Sequence, residues 1–162
     1  MTNRGAVSVR PVNPRDRAEW LRMRCDLWPE GTADEHARDI DAFFGGRSQM
    51  PLAVLVALDA SGEVVGFAEL SIRPYAEDCV TDRVAYLEGW YVAPHARRQG
   101  VGGTLIAAAE RWAIAQGCTE FGSDALIENE LSAAAHIALG FEETVRIRCF
   151  KKTLRAGDKT EK

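Results

Sequence analysis

The segment that decides the fold is residues 91–103, YVAPHARRQGVGG, which joins the end of an apolar strand to the start of a helix. Between the two lies a basic turn with Arg97, Arg98 and Gly100. Successive backbone N–H groups at such a turn point outward, and the positive end of the helix dipole strengthens their attraction for an anion. Because a glycine lets a ligand approach the backbone closely, the pattern predicts a diphosphate site. The same spacing also fits a basic turn that only joins two packed elements.

The hydrophobic pattern on both sides of this turn predicts one domain with the element order β-α-α-β-β-β-α-β-α-β. Strands are predicted at residues 6–12, 52–58, 64–72, 84–92, 119–123 and 141–154. Helices are predicted from Asn13-Pro14 to Pro29, from the capping box Thr32-Glu35 to Gly45, and at residues 100–116 and 128–139. The alternation of strands and helices in the second half indicates an α/β domain on a mixed sheet. Residues 1–154 form this domain, and 155–162 are a polar C-terminal tail.

The charge balance indicates which partners to expect. The 162 residues include 20 Lys and Arg against 24 Asp and Glu, a formal net charge of -4. That sign argues against nucleic-acid binding and favours a cationic ligand. No apolar run approaches the ~20 residues of a membrane helix, and the N-terminus does not resemble a signal peptide. The expected location is therefore the cytoplasm, without membrane attachment.

The cysteines and histidines give no sign of a metal centre. Cys25, Cys79, Cys118 and Cys149 contain no CxxC pair, and the three histidines fall in no spacing typical of metal ligands. Scattered cysteines in a chain of this kind predict free thiols rather than a disulfide framework.

Two motifs resemble those of the GNAT acetyltransferase superfamily. The RxxGxG pattern at residues 97–102 matches the family's acetyl-CoA signature. Asn129 is followed, at the family's distances, by His136 and by GF at 140–141. The resemblance covers about residues 6–154. It implies the α/β GNAT fold, a mixed and mostly antiparallel central sheet flanked by helices, with acetyl-CoA as co-substrate.

A closer resemblance points to one group within that superfamily, the bacterial aminoglycoside 6'-N-acetyltransferases. It implies direct transfer of acetyl from acetyl-CoA to the 6'-amine, antibiotic resistance as the result, and a homodimer. Two alternatives stay open: a GNAT enzyme for another amine, such as a polyamine or a protein N-terminus, and a non-enzymatic acyl-CoA sensor. The resemblance rests on the blocks LWP at 27–29, SIR at 71–73, LEGWYV at 87–92, CTEF at 118–121, SD at 123–124 and HIALGFEET at 136–144.

Direct transfer to an amine requires a nearby base, because an alkylammonium is largely protonated at neutral pH. Glu88 lies on the strand that leads to the basic turn, and Asp124 lies at the end of the next strand. Both are thus near the carboxyl ends of strands, where α/β sheets place ligands. The leaving thiolate also needs a proton. Many GNAT enzymes have a tyrosine where this chain has His136, which is either an acid, a group that positions water, or a packed helix residue.

The resemblance assigns the remaining site residues. Catalysis is assigned to Glu88, Asp124 and His136. Acetyl-CoA binding is assigned to Tyr91, Val92, Arg97, Arg98, Gln99, Gly100, Val101, Gly102, Gly103, Asn129 and His136, with the backbone N–H of Val92 polarising the thioester carbonyl. Binding of the polycationic substrate is assigned to Trp28, Glu69, Tyr75, Glu88 and Asp124.

Overall fold

A computed structural model describes residues 7–154, which build one five-stranded sheet with helices on both faces. The strands are β1 (Ser8–Pro11), β2 (Ala53–Leu58), β3 (Val64–Arg73), β4 (Val84–Val92) and β5 (Phe121–Ser123). The helices are α1 (Arg17–Leu27), α2 (Ala33–Phe44), α3 (Val101–Ala115) and α4 (Glu130–Ala138). Short 3-10 turns at Pro14–Asp16 and Pro94–Ala96 precede α1 and α3.

The sheet has the mixed character that the sequence predicts. Its spatial order is β1-β2-β3-β4-β5, in which the first four strands are antiparallel neighbours and β5 runs parallel to β4. Two parallel neighbours cannot be joined by a tight hairpin. The parallel pair β4–β5 therefore needs a crossover connection, which α3 supplies on one face of the sheet.

The ends of the first two helices follow from capping residues in the sequence. Asn13 and Asp16 form a capping box at the start of the 3-10 turn, so α1 itself begins three residues later than the proline pattern predicts. Thr32 and Glu35 form the predicted capping box of α2, whose last residue, Phe44, precedes the predicted stop at Gly45. Each box satisfies backbone N–H groups that have no partner inside the helix.

The core has two layers, because residues of β2 alternate between the faces of the sheet. Leu55 and Ala57 pack with α3, around Leu105 and Ala109. The alternate residues of β2 pack instead with α1 and α2, in a cluster made of Trp20, Met23, Ile40, Val54, Val56, Phe67, Tyr91 and Ala93. β2, which lies between the two layers, is therefore apolar on both sides, whereas β3 also buries Glu69 and Ser71.

The predicted final strand at 141–154 is wrong. The structure assigns this segment to no strand. Phe141 packs on the core, but the large apolar side chains after it are exposed: Ile147 is 59%, Phe150 91% and Leu154 81% exposed. The physical reason is that a strand requires a neighbouring edge, and within one chain this segment pairs with none of the five strands. We refer to residues 141–154 as the C-terminal arm.

Some predictions fall outside the described residues or end differently. Ala6, predicted as the first residue of β1, and the tail at 155–162 lie outside the range 7–154. The predicted strand at 119–123 shortens to Phe121–Ser123, and the predicted helix at 128–139 shortens to Glu130–Ala138. Within residues 7–154, none of the helices combines the length and the apolar character needed to span a bilayer.

Candidate active site

The centre of the site is the point where β4 and β5 separate. β5 pairs with β4 only from Ala85 to Leu87, whereas β4 continues to Val92. Leu87 lies opposite Ser123, so the next residue on each strand, Glu88 and Asp124, stands where the two strands diverge. The predicted pair of carboxylates is thus brought together by one short stretch of parallel pairing.

Glu88 occupies a β-bulge. Along β3, Glu69 pairs with Gly89 and the next residue, Leu70, pairs with Leu87, so Glu88 is the extra residue of β4. A bulge of this kind bends its strand and redirects a side chain. Beyond it, β4 has no neighbour on the β5 side among the described residues.

The free edge of β4 presents the backbone of Val92. The N–H of Ala93 donates to the carbonyl of Val65 on β3, at 2.8 Å. Because successive N–H groups along a strand point to opposite sides, the N–H of Val92 points away from β3, toward the gap between the strands. The carbonyl of Val92 accepts a hydrogen bond from Arg97 Nε at 2.9 Å, which ties the strand end to the basic turn.

The basic turn has the backbone geometry of an anion site. Arg98 and Gly100 have φ values of 61° and 85°, and α3 begins at Val101 with no side chain capping its first N–H groups. A Cβ at Gly100 would meet nothing within 4 Å, so the turn is open to a ligand there. A Cβ at Gly102 would lie 2.8 Å from the Trp90 ring, so this glycine serves packing.

Other residues predicted at the cofactor site take different positions. Gln99 Nε2 donates to the carbonyl of His95, Val101 is buried in the core, and Gly103 lies at the first turn of α3. The ring of Tyr91 packs in the α1–α2 layer, and its hydroxyl donates to Asp26 at 2.9 Å. The guanidinium carbon of Arg97 lies 6.0 Å from the centroid of this ring, which places Tyr91 beside the basic turn through its ring and not through its hydroxyl.

Asn129 and His136 connect α4 to this region. The side-chain oxygen of Asn129 accepts from the N–H of Ser132 and caps α4. His136 Nδ1 lies 2.7 Å from the Ser132 carbonyl, and Nε2 lies 2.8 Å from Ser123 Oγ. Because a carbonyl only accepts, Nδ1 carries a proton, and in the neutral ring Nε2 accepts from the Ser123 hydroxyl. Both ring nitrogens of His136 are thus occupied by α4 and β5.

The two carboxylates differ in their surroundings. Asp124 is exposed. The Glu88 side chain is only 12% exposed and accepts hydrogen bonds from Ser71 Oγ and from the Arg73 guanidinium, at 2.9 Å from Nε and 2.5 Å from Nη2. Sequence reasoning missed Ser71 and Arg73, although their alternate positions on β3 place them on one face of that strand.

Trp28 lies directly over the bulged strand. A Cβ at Gly89 would lie 2.5 Å from the Trp28 ring, so only glycine allows this contact. The Arg24 guanidinium sits 5.1 Å from the centroid of the Trp28 ring, and the His36 ring stacks 6.3 Å away. Tyr75 is 66% exposed in the loop after β3. The geometry fits Trp28 as a fixed wall and Tyr75 as an accessible surface ring.

Glu69 lies beneath this wall and not at the surface. It is 2% exposed, accepts a hydrogen bond from Trp20 Nε1 at 2.9 Å and lies 3.4 Å from Arg24 Nε. Burial raises the pKa of Glu69 to about 7, although Arg24 opposes the shift. In this structure Glu69 contacts Trp20 and Arg24, which support the wall, and is itself buried.

A family model described as the acetyltransferase (GNAT) family matches residues 17–141. The chain belongs to the GNAT acetyltransferase family. This match covers the bulge, the gap between β4 and β5, the basic turn and α4, and it confirms the fold that the two motifs predict. Within the described residues no three His, Cys, Asp or Glu side chains gather closely enough to hold a metal ion.

Several relatives of this GNAT chain have names or solved structures. An aminoglycoside N(6')-acetyltransferase type 1 of Klebsiella aerogenes is 57% identical over 146 residues, covering 90% of this chain and 96% of that protein. The structure of AAC(6')-Iy in complex with the bisubstrate analog CoA-S-monomethyl-acetylneamine has a TM-score of 0.84 at 37% identity, covering 92% of this chain and 99% of that one. AAC(6')-Ih from Acinetobacter baumannii has a TM-score of 0.83 at 35% identity, with the same two coverages.

The basic turn supplies a test of the cofactor site. Gly100→Asp should weaken acetyl-CoA binding about tenfold or more, because it adds a carboxylate where the diphosphate approaches the N–H groups of α3. Calorimetry of acetyl-CoA binding measures the effect. Gly100→Asn is the matched control. Its side chain has nearly the same volume as that of Asp and has to accept the same positive φ at this position, but it carries no charge. Equal affinity of the two folded variants would contradict the assignment.

Proposed function

We propose that this GNAT enzyme transfers acetyl from acetyl-CoA directly to the 6'-amine of an aminoglycoside, and that the transfer gives resistance to the antibiotic. The observation that carries the proposal is the 57% identity, over nearly the whole of both chains, to an aminoglycoside N(6')-acetyltransferase. The acidic acceptor site at Glu88 and Asp124 supports it, since aminoglycosides are polycations and such a site attracts them.

The basic turn and the free edge of β4 form the acetyl-CoA side of the proposed site. The N–H groups at the start of α3 would hold the diphosphate, and Arg97 and Arg98 add positive charge. The N–H of Val92 points into the gap between the strands, where it would donate to the thioester oxygen as negative charge develops there. Asn129, whose side-chain oxygen is engaged in capping α4, keeps its amide N–H groups for the pantetheine arm.

The reaction is written as a direct displacement. A carboxylate, Glu88 or Asp124, accepts a proton from the 6'-ammonium directly or through water, which frees the nitrogen lone pair. The nitrogen then forms a bond to the thioester carbon, and the carbonyl electron pair moves to oxygen. Collapse of this intermediate re-forms the carbonyl and breaks the carbon–sulfur bond, releasing the CoA thiolate, and the amide nitrogen loses its second proton to solvent.

We assign His136 to positioning. Its two ring nitrogens join the Ser132 carbonyl of α4 to Ser123 of β5, and the ring packs edge-on against Trp90 and Phe141. It thereby fixes the helix that carries Asn129 beside the strand that carries Asp124. A thiolate is a good leaving group, so water can supply its proton.

The acceptor specificity is tested with a panel of amines and a thiol-release assay. Kanamycin A should be acetylated at its 6'-amine, and an analogue with a 6'-hydroxyl should be a poor substrate, because the attacking lone pair is then missing at that carbon. Mass spectrometry and NMR of the product identify the modified nitrogen. Acetyl on a 2-deoxystreptamine nitrogen, or a preference for polyamines or peptide N-termini, would contradict the proposal. Absence of CoA release with every amine would favour the acyl-CoA sensor.

The two carboxylates are tested by amide variants. Glu88→Gln and Asp124→Asn should each lower kcat/KM for kanamycin A by ~10²-fold or more, in the range of general-base and charged-contact contributions. Acetyl-CoA affinity should stay nearly unchanged in both. Glu110→Gln, an exposed acid on α3, is the control for the same change of charge away from the acceptor site. Near-normal turnover in both amide variants would contradict the mechanism.

We also propose that the enzyme is a cytoplasmic homodimer, with the C-terminal arm paired to a second copy. The arm leaves Ile147, Phe150 and Leu154 exposed although the segment is rich in strand-forming residues. An apolar segment of this kind is normally covered by a partner. Free cysteines, among them the exposed Cys149, suit the reducing cytoplasm.

The dimer is tested by measuring the molar mass in solution. Light scattering after gel filtration should give twice the mass of the chain, and a Phe150→Asp, Ile147→Asp variant should give the monomer mass, because buried charges oppose the pairing. Val80→Asp is the control, since Val80 is 93% exposed and lies outside the arm. A monomeric parent protein would overturn this assignment.

A further inference from the structure

The guanidinium of Arg73 forms an ion pair with the carboxylate of Glu88. Nε binds Glu88 Oε1 at 2.9 Å and Nη2 binds Oε2 at 2.5 Å, while Ser71 Oγ also donates to Oε1. Both carboxylate oxygens are therefore engaged by the chain itself. A cation that binds Glu88 with the same two-point geometry must therefore take the place of Arg73.

Arg73 forms the outer layer of this pair. Its side chain is 31% exposed, against 12% for Glu88, so a ligand that approaches from solvent meets the guanidinium before the carboxylate. The guanidinium carbon lies 3.5 Å from the centroid of the Tyr86 ring. The hydrogen bond to Glu88 raises the pKa of Arg73, and the charges of Glu88 and Asp124 add to the rise. Arg73 is thus bound to one of the two acids proposed to receive an ammonium.

We infer that Arg73 is an internal substitute for the substrate cation, which an aminoglycoside ammonium displaces from Glu88 when it binds. This inference rests on the proposed function and adds a specificity-determining residue to it. The exchange replaces one cation by another at the same carboxylate, so Glu88 is never left without a partner in a partly buried place. An acceptor without positive charge gains nothing in exchange and does not displace Arg73.

The position of Arg73 in the fold allows this movement. It is the last residue of β3, and irregular chain follows from residue 74 to the start of β4. Its partners are one carboxylate, bound through two hydrogen bonds, and one ring face, and because the guanidinium is partly exposed it can turn to solvent when a second cation takes its place. Ser71, which is 1% exposed, keeps its hydrogen bond to Glu88 and holds the carboxylate in place during the exchange.

Kinetics of Arg73→Gln test the displacement. Removing the competing cation should lower KM and Kd for kanamycin A by about tenfold, with acetyl-CoA affinity unchanged, since the ligand no longer has to displace a side chain. Arg73→Lys keeps the charge but loses the two-point contact and should give a smaller decrease. Arg17→Gln is the matched control. Arg17, the first residue of α1, forms an exposed ion pair with Asp41 of α2, so this variant removes the same charge from a pair outside the site.

A resonance of Arg73 gives a second readout that a merely structural role would not move. In the free enzyme the Arg73 Nε–H, bonded to Glu88, should give a protected signal in a nitrogen–proton spectrum, identified by its loss in Arg73→Gln. Saturation with kanamycin A should shift that signal strongly or abolish it by exchange with water. Saturation with acetyl-CoA alone should leave it in place.

The outcomes separate this inference from the proposed function. If the wild-type enzyme neither binds nor acetylates kanamycin A, the proposed function fails and the inference falls with it. If the wild type is active but Arg73→Gln has an equal or higher KM, or the Arg73 signal persists in the kanamycin complex, only the inference is overturned. Arg73 would then be a fixed partner that orients Glu88.

Discussion

The constraint on which the site depends is the length of the parallel pairing between β4 and β5. Three residue pairs hold the two strands together, after which β4 continues for five residues paired only with β3. The separation leaves the N–H of Val92 without a neighbouring strand and sets Glu88 beside Asp124. If the pairing continued, the ladder would take up that N–H group and close the gap. An incomplete sheet is therefore what the proposed acyl transfer requires.

The gap also separates two regions of opposite charge. The basic turn and the first N–H groups of α3 attract an anion at the end of β4, whereas Glu88 and Asp124 attract a cation at the bulge. The net charge of the whole molecule, -4, attracts a positively charged acceptor and repels an anion. The affinity for a CoA-like anion therefore has to come from this local arrangement of backbone dipoles and arginines. In the proposed mechanism the two reactants approach from opposite ends of the gap and meet at the backbone of Val92.

The wall of the acceptor site rests on a group of charges, of which Arg24 and Glu69 are buried and Asp39 is exposed. Arg24 stacks on Trp28, while Glu69 and Asp39 lie within 3.4 and 3.2 Å of its guanidinium. Nε and Nη1 of Arg24 nevertheless make no hydrogen bond among the described residues. Such a cluster is costly to bury and is weak evidence for stability. The cluster has a geometric consequence, because it holds the Trp28 ring against Gly89. Glu69, which was predicted to contact the substrate directly, instead supports Trp28 through Arg24.

The sequence by itself determined the parts of this protein that depend on local rules. Capping residues marked the start of α2 and of the turn before α1, and apolar runs marked β2, β3 and β4. The motif in residues 97–102 predicted the cofactor turn through its resemblance to the GNAT signature. Tertiary structure alone decided the rest. The bulge at Glu88 depends on the register with β3, the burial of Glu69 depends on α1 packing over that strand, and the contact of Arg73 with Glu88 joins residues 15 positions apart. The C-terminal arm shows the same limit. Its composition predicts a strand, but a strand exists only beside another edge, and no edge within residues 7–154 pairs with it.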